Sequence, residues 1–369
     1  MRIGGFSFAF GGLLVAVTFA AGDAHAQLIG PGGGGSPTLT IPGGTVSSQV
    51  PSAIDDIGTK FLRTLGNEAA FHSTGAPRSN NPAGGGADMD VPASAASRDP
   101  RYRTWFEGYG LTSRMDPQAD FAGDTRKTWG GVAGLGMAVM PGMSVGVSVD
   151  QSRTKVKVDP LAQSATIDLT QIGANAAFDA GAWTFAIAGV RGFADIDTRR
   201  EDPRGPSLAA YDANIWGAIA ELSYLWSSGN WRVVPKLGAD WSRVYSDAYS
   251  ETGGGAPVTA GDQTTRRTRI FGAVEVGHTW FSASTMFDLS GYARVVNIVS
   301  QDIGLLSMSS PGFIPIAVQG VSESRTGLDA GAGATWRLSQ AMRLYAVYDG
   351  RFLSNFQSHA GTVGLELRW

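Results

Sequence analysis

Few groups in this sequence combine the residue types and spacing that chemistry needs. Ser358 and His359 lie beside Asn355, which offers a nucleophile and a general base for hydrolysis. Adjacency in sequence does not supply the hydrogen-bonded geometry of a triad, and the plainer reading is polar residues at a loop rim. Of the four histidines, His25 falls near the N-terminus, His72 stands just past a helical pattern, and His278 takes an apolar-facing position in an alternating run. No His, Asp or Glu cluster has the spacing of a metal site. Gly32–Gly35 lacks both the Lys-Ser/Thr and the preceding strand of a phosphate loop, so it reads as linker. The expectation is a protein without catalytic residues, cofactor or metal.

The elements that must position any site are therefore the larger question. The chain has 369 residues, 43% of them hydrophobic, a net charge of −3, 51 Gly and no Cys. Its mean hydropathy is −0.03. No stretch after the N-terminus reaches the roughly 18 apolar residues of a spanning helix. That excludes a helical membrane protein but not a membrane barrel, whose strands need only alternate residues apolar. The charge gives no basic patch for nucleic acid, and the missing Cys gives no disulfide framework.

The first 26 residues have the layout of an export signal. Arg2 precedes an apolar run from Phe6 to Ala21, and Ala24-His25-Ala26 is a small-x-small cleavage site before Gln27. Residues 27–100 are rich in Gly, Ser and Pro and cannot bury enough apolar surface to offset ordering entropy, so a disordered linker is expected. Within it, Ile54, Ile57, Phe61, Leu62 and Leu65 recur at helical spacing, and Pro51 and Ser52 supply a start, with Ser52 and Asp55 at capping-box spacing. This predicts a short amphipathic helix over 52–71. It either packs in a pore or on a membrane, or forms only on contact with something else.

From Arg101 to the end, apolar and polar residues alternate with period two. About twelve strands are expected, near 103–114, 127–139, 143–157, 164–178, 182–196, 209–227, 231–247, 264–280, 284–299, 322–338, 342–353 and 357–369. Tight turns alternate with the longer polar loops 115–126, 158–163, 197–208, 248–263 and 300–321. Sorting loops by length onto two rims is what an outer-membrane barrel does, and an even strand count agrees with closure.

The polar face carries charges in mid-strand: Glu107, Asp150, Glu221, Lys236, Asp240, Glu275, Asp288, Arg294, Asp329, Arg343 and Arg351. A Lys or Arg facing hydrocarbon at the midplane costs roughly 2–4 kcal/mol, so these must line the lumen. There they form ion-pair networks, contact a plugging segment, or solvate a wet pore. The other face meets outer-membrane lipid. Trp129, Trp183, Trp231, Trp241, Trp280, Trp336 and Trp369 fall near strand ends, where interface girdles sit. The fold expected is all-β, one transmembrane antiparallel up-and-down barrel.

The last strand is the sharpest local signal. Val363, Leu365, Leu367 and the terminal Trp369 alternate on one face and end the chain on an aromatic. This is similar to the sorting signal read by the outer-membrane assembly machinery, and such a strand can add to an open sheet edge. Residues 101–369 as a whole resemble the autotransporter β-domain family. The resemblance rests on Trp105-Phe106-Glu107-Gly108-Tyr109-Gly110, on the run Trp129 to Gly136, on the Gly-rich lipid faces and on the Val363–Trp369 ending. It implies a Gram-negative outer-membrane barrel of type V secretion. Periplasmic chaperones and the assembly machinery would be its partners, and its own upstream segment would lie in its lumen.

The sequence departs from the family in its upstream segment. About seventy mature residues precede the barrel, without room for a long β-solenoid passenger, and some thirty separate the helix from the first strand. Asn80-Asn81 resembles the family's cleavage pair, but Pro82 follows and the pair is outside a helical pattern. The segment reaches the cell surface only by threading the pore, with Gly84–Arg103 as the candidate stretch; otherwise it stays periplasmic. Three functions are expected in order: a translocator or anchor for the short segment, a passenger-less pore or structural barrel, and a barrel hydrolase.

Overall fold

The computed structural model describes residues 46–69 and 101–369, apart from 119, 120, 283, 284, 313, 321 and 340. The expected signal peptide, His72, Asn80-Asn81 and the Gly84–Pro100 stretch lie outside the described residues. The body is a closed antiparallel barrel of twelve strands. They are β1 Tyr102–Met115, β2 Asp124–Met140, β3 Met143–Val158, β4 Gln163–Ala180, β5 Trp183–Arg200, β6 Ser207–Tyr224, β7 Trp231–Ser246, β8 Gln263–Phe281, β9 Met286–Ile303, β10 Thr326–Arg337, β11 Met342–Leu353 and β12 Phe356–Arg368. Each pairs with its sequence neighbours, and β1 pairs with β12 to close the sheet. At that seam Tyr102 and Trp369 exchange backbone hydrogen bonds of 3.0 Å in both directions. Closure leaves no open edge in the barrel sheet, so its backbone groups pair strand to strand around the ring, as hydrocarbon demands.

The expected strands all form, with ends moved by a few residues. The largest departures have local causes. Strand β6 stops at Tyr224, and Trp226–Ser228 then folds back onto Trp231–Val233 as a small hairpin. Residues 322–325 are not strand, because Asn355 takes over their polar groups: its amide donates to the Ser322 carbonyl at 2.9 Å, and its Oδ1 accepts from the Ser324 amide at 2.9 Å. The loops expected at 248–263 and 300–321 contain a second sheet, Tyr249–Ser250, Thr259–Ala260, Leu305–Ser309 and Ile316–Gln319.

The turns sort by length as expected. One rim carries the turns at 141–142, 181–182, 225–230, 282–285 and 338–341, together with both ends of the barrel domain. The first of these has Pro141 followed by Gly142 at φ +77°, the order a type II turn asks for. The opposite rim carries the longer connections, including the second sheet.

Face alternation is nearly unbroken. Leu237 (66% exposed), Val363 (64%) and Trp129 (63%) point outward, while Asp150, Glu275 and Asp288 are fully enclosed. An outward ring near the short-turn rim contains Trp183, Trp231, Trp280, Trp336 and Trp369. A second ring holds Trp129, Phe193, Trp216 and Trp241. The apolar band between them spans about 8–11 residues per strand, which at roughly 3.3 Å per residue and a tilt near 40° gives about 25 Å.

Inside stands the helix α1, Val50–Ala69. A 3-10 turn at Val46–Ser48 leads into it, and the Gln49 carbonyl accepts the Ala53 amide at 3.1 Å. The start is two residues earlier than the Ser52 cap predicted from spacing. Pro51 fits the first turn, where an amide would be unpaired anyway, and the Ser52 hydroxyl instead accepts a hydrogen bond from Arg126 at 3.2 Å.

Candidate functional site: the helix-filled lumen

The direction of α1 follows from its contacts. At its start, the Val46 amide donates to Gln163 Oε1 at 2.7 Å, and Gln163 is the first residue of β4 at the long-loop rim. Val46, Val50, Ala53 and Ile54 join a buried cluster with Val258, Ala260, Leu306, Met308 and Val318 of the loops. At its other end, Glu68 pairs with Arg103 at the foot of β1. The helix therefore runs from the long-loop rim, where Val46 lies, to the short-turn rim.

One helical stripe makes the apolar contact. Phe61, Leu62 and Leu65 pack with Ala188, Val190 and Ile219, and Ile54 and Ile57 lie with Leu169 and Ile215. Small residues make room for the stripe. A Cβ on Gly173 would stand 2.3 Å from a Leu65 methyl, and one on Gly217 would stand 2.6 Å from a Leu62 methyl. Burying each such side chain stabilises by about 1.5–3 kcal/mol. Five of them give the helix a stable seat on β4–β6, which its own sequence would not supply in water.

The opposite stripe is charged and meets charges. Asp55 pairs with Arg267 at 2.5 Å, and Asp56 pairs with Arg126 at 2.8 Å and Arg351 at 3.2 Å. Arg63 pairs with Asp329. Lys60 lies 3.7 Å from the centre of the Tyr109 ring, a cation–π contact. Thr59 accepts hydrogen bonds from Arg267 at 3.1 Å and Arg269 at 3.3 Å. At the foot, Glu366 of the last strand receives Arg103 at 3.2 Å, Arg343 at 2.8 Å and Arg368 at 2.5 Å, which ties β1, β11, β12 and, through Glu68, α1 together.

All eleven charges expected in the lumen are buried inside it. Asp329 and Arg351 touch α1. The others serve wall-to-wall contacts. Glu107 accepts from Tyr345 at 2.7 Å, and Asp150 accepts from Tyr109 and Gln171, each at 2.9 Å. Glu275 takes Lys236 at 2.9 Å and shares Arg232 with Asp288, while Asp240 pairs with Arg269 at 2.7 Å. Glu221 and Arg294 approach to 3.8 Å. These side chains thus pair with one another across the wall and, at Asp329 and Arg351, with α1. The residues that grip the helix most, Arg103, Arg126, Arg267 and Arg269, were not singled out in sequence. Their parity was legible, since Arg267 and Arg269 share a face with Glu275 on β8.

At the long-loop end Glu323 closes the network, 2.8 Å from Arg267. Burial alone would raise its carboxyl, but the guanidinium groups of Arg267, Arg351, Arg269 and Arg126 hold it below the usual range.

The helix does not fill the lumen. Between its polar stripe and the far wall lies a narrow cavity of about 90 Å³, bordered by Lys60, Arg63, Glu107, Tyr292, Asp349 and Thr362 among others. Among the described residues no cluster of His, Cys, Asp or Glu could hold a metal ion. Ser358 is buried on the lumen face and His359 points outward, with its Nδ1 2.8 Å from the Tyr348 hydroxyl. The two cannot act as nucleophile and base, which removes the geometric basis for the hydrolase reading.

The comparisons with known proteins agree with this architecture. The family model for the autotransporter beta-domain matches residues 104–349. Among solved structures, the translocator domain of the autotransporter NalP from Neisseria meningitidis is similar, with TM-score 0.66, 13% identity, and cover of 88% of this chain and 99% of that one. The beta domain of the Bordetella autotransporter BrkA is also similar, with TM-score 0.52 and 13% identity, covering 73% of this chain and all of that one. A search of curated proteins gives no match. The chain belongs to the autotransporter β-domain family, as an outer-membrane translocator barrel.

Proposed function

We propose that this barrel carries its own upstream segment through the lumen and holds it on the cell surface, with α1 left behind as plug and tether. The observation that carries this reading is the direction of α1, whose first residues lie among the long loops while Glu68 is held at the foot of β1. In an outer-membrane barrel the long loops face outward. A chain that enters the lumen from below and stops with its helix in this register leaves everything before Val46 outside.

In this reading residues 1–26 are a leader removed before Gln27. Periplasmic chaperones keep the cysteine-free chain unfolded, and the assembly machinery recognises Val363, Leu365, Leu367 and Trp369. The role is export and anchoring without catalysis, and the opposed faces of Ser358 and His359 support that.

An epitope placed in Gly32–Gly35 tests the proposal. Antibody should label it on intact cells. Labelling only after the outer membrane is opened would contradict display.

The cavity beside α1 favours one second reading, a narrow path for small solutes. It predicts measurable bilayer conductance from the full chain, and an electrically silent barrel with α1 in place would remove it.

A further inference from the structure

The outward face of β1–β3 changes character above the second aromatic ring. Below it β3 presents Val145, Val147 and Val149; above it come Arg153, Lys155 and Lys157. On β2 the outward residue above Trp129 is Lys127, and on β1 it is Arg114 near the strand end. The register brings these cations together. Lys127 stands directly opposite Lys155, and Lys157 opposite Thr125, whose other neighbour is Arg114. Strands lie about 4.8 Å apart and same-face neighbours about 6.7 Å, so the four cations fall within roughly 10–15 Å.

Like charges facing across a strand pair destabilise the sheet. The acids nearby do not relieve these lysines. Asp168 is taken by Arg153 at 2.6 Å, and Asp116 lies 3.3 Å from Arg114. Asp195 and Asp197 stand further round, on β5. Lys127, Lys155 and Lys157 have no ion-pair partner among the described residues.

We propose that Lys127, Lys155 and Lys157, with Arg114, form a docking surface for a phosphate-bearing lipid headgroup of the outer leaflet. Two features select this occupant. Four clustered cations complement phosphate, and the patch adjoins the apolar, lipid-facing band below Trp129, with Gln151 between them on β3. An acyl chain lying on Val147 and Val149 puts its headgroup at the level of Lys127 and Lys155. A soluble anion would gain nothing from that band.

The test uses the full chain in neutral detergent, titrated with lipid A, with dephosphorylated lipid A, and with inorganic pyrophosphate, and read by native mass spectrometry. Lipid A should bind at least tenfold more tightly than either control. Lys127→Ser with Lys155→Ser should weaken it about thirtyfold, while Lys127→Arg with Lys155→Arg should retain it. Both substituted positions are exposed on the sheet, and heat-modifiable gel mobility verifies folding. Equal binding by the Ser variant, loss in the Arg variant, or equal affinity for dephosphorylated lipid would overturn the proposal. Pyrophosphate binding as tightly as lipid A would mean a site for free phosphate and would overturn it too.

Discussion

Asp56 of α1 accepts a hydrogen bond from Arg126 of β2 at 2.8 Å, in a lumen where both side chains are almost wholly enclosed. Arg126 also holds Asp124 at 2.7 Å, and Arg351 reaches Asp56 at 3.2 Å from β11, three strands round the wall from β2. The pair fixes the helix between β2 and β11. Because each arginine keeps a second carboxylate, removing Asp56 strands no charge entirely. Asp56→Asn should weaken helix docking by about 2–3 kcal/mol, the worth of hydrogen bonds to a charged group. Planar-bilayer recording checks this: the variant should show openings larger and more frequent than the parent.

The apolar side of the seat depends on missing side chains. Gly173 leaves the space that Leu65 and Phe61 enter, so a methyl there meets the movable end of Leu65 at 2.3 Å and presses on Phe61 at 3.2 Å and the Gly189 carbonyl oxygen at 3.3 Å. Gly173→Ala should cost about 1–3 kcal/mol of helix docking. Gly173→Phe should exclude the helix from its seat. Hydrogen exchange of the α1 amides measures both, with modest acceleration in the first variant and exchange near the open rate in the second.

Glu366 gathers three guanidinium groups where the last strand closes on the first. In Glu366→Gln Arg103 keeps the carboxylate of Glu68, while the carboxylate that Arg343 and Arg368 share is lost. The barrel should lose about 3–5 kcal/mol at its seam. On semi-native gels the folded band should convert to the unfolded one at a clearly lower temperature. An unchanged conversion temperature would mean that the cluster contributes little.

Glu323 gives a pH dependence. Its carboxyl is held below the usual carboxylate range when folded, so its contribution is present above the unfolded value near 4.3 and lost as pH falls through the lower folded value. The Arg267 contact then weakens, and the loops over the start of α1 loosen. Limited proteolysis of residues 304–325 by a protease active at both acid and neutral pH, corrected for its rate on an unfolded peptide, should therefore accelerate below about pH 4, and Glu323→Gln should show the fast cleavage already at neutral pH.

Much of this was legible from alternation alone. The run Met143–Val149 against Ser144–Asp150 already separates lipid from lumen, because a period of two leaves each residue only one face. Glu275 and Asp288 stand on the enclosed parity of β8 and β9. What parity cannot carry is distance across the lumen. Arg351 and Asp56 meet although they belong to different patterns, one of period two and one of period 3.6. The small sheet of Tyr249–Ser250, Thr259–Ala260, Leu305–Ser309 and Ile316–Gln319 was hidden for another reason. Its strands are too short to show a period, and it is held by the helix start beneath it. The helix start moved because Ser52 found Arg126, a partner remote in sequence.

The direction of α1 in the living membrane is what the account stands on, and the absence of native Cys makes it directly measurable. A Cβ on Gly58 would lie 2.3 Å from a methyl of Ile215 on β6. Gly58→Cys with Ile215→Cys should therefore form a disulfide in intact cells. Gly58→Cys paired with Glu366→Cys at the short-turn rim should not. Crosslinking of the first pair alone is the predicted result. Crosslinking of the second pair, or of neither in a barrel that is folded in the outer membrane, would contradict the seated, outward-starting helix and the surface display that follows from it.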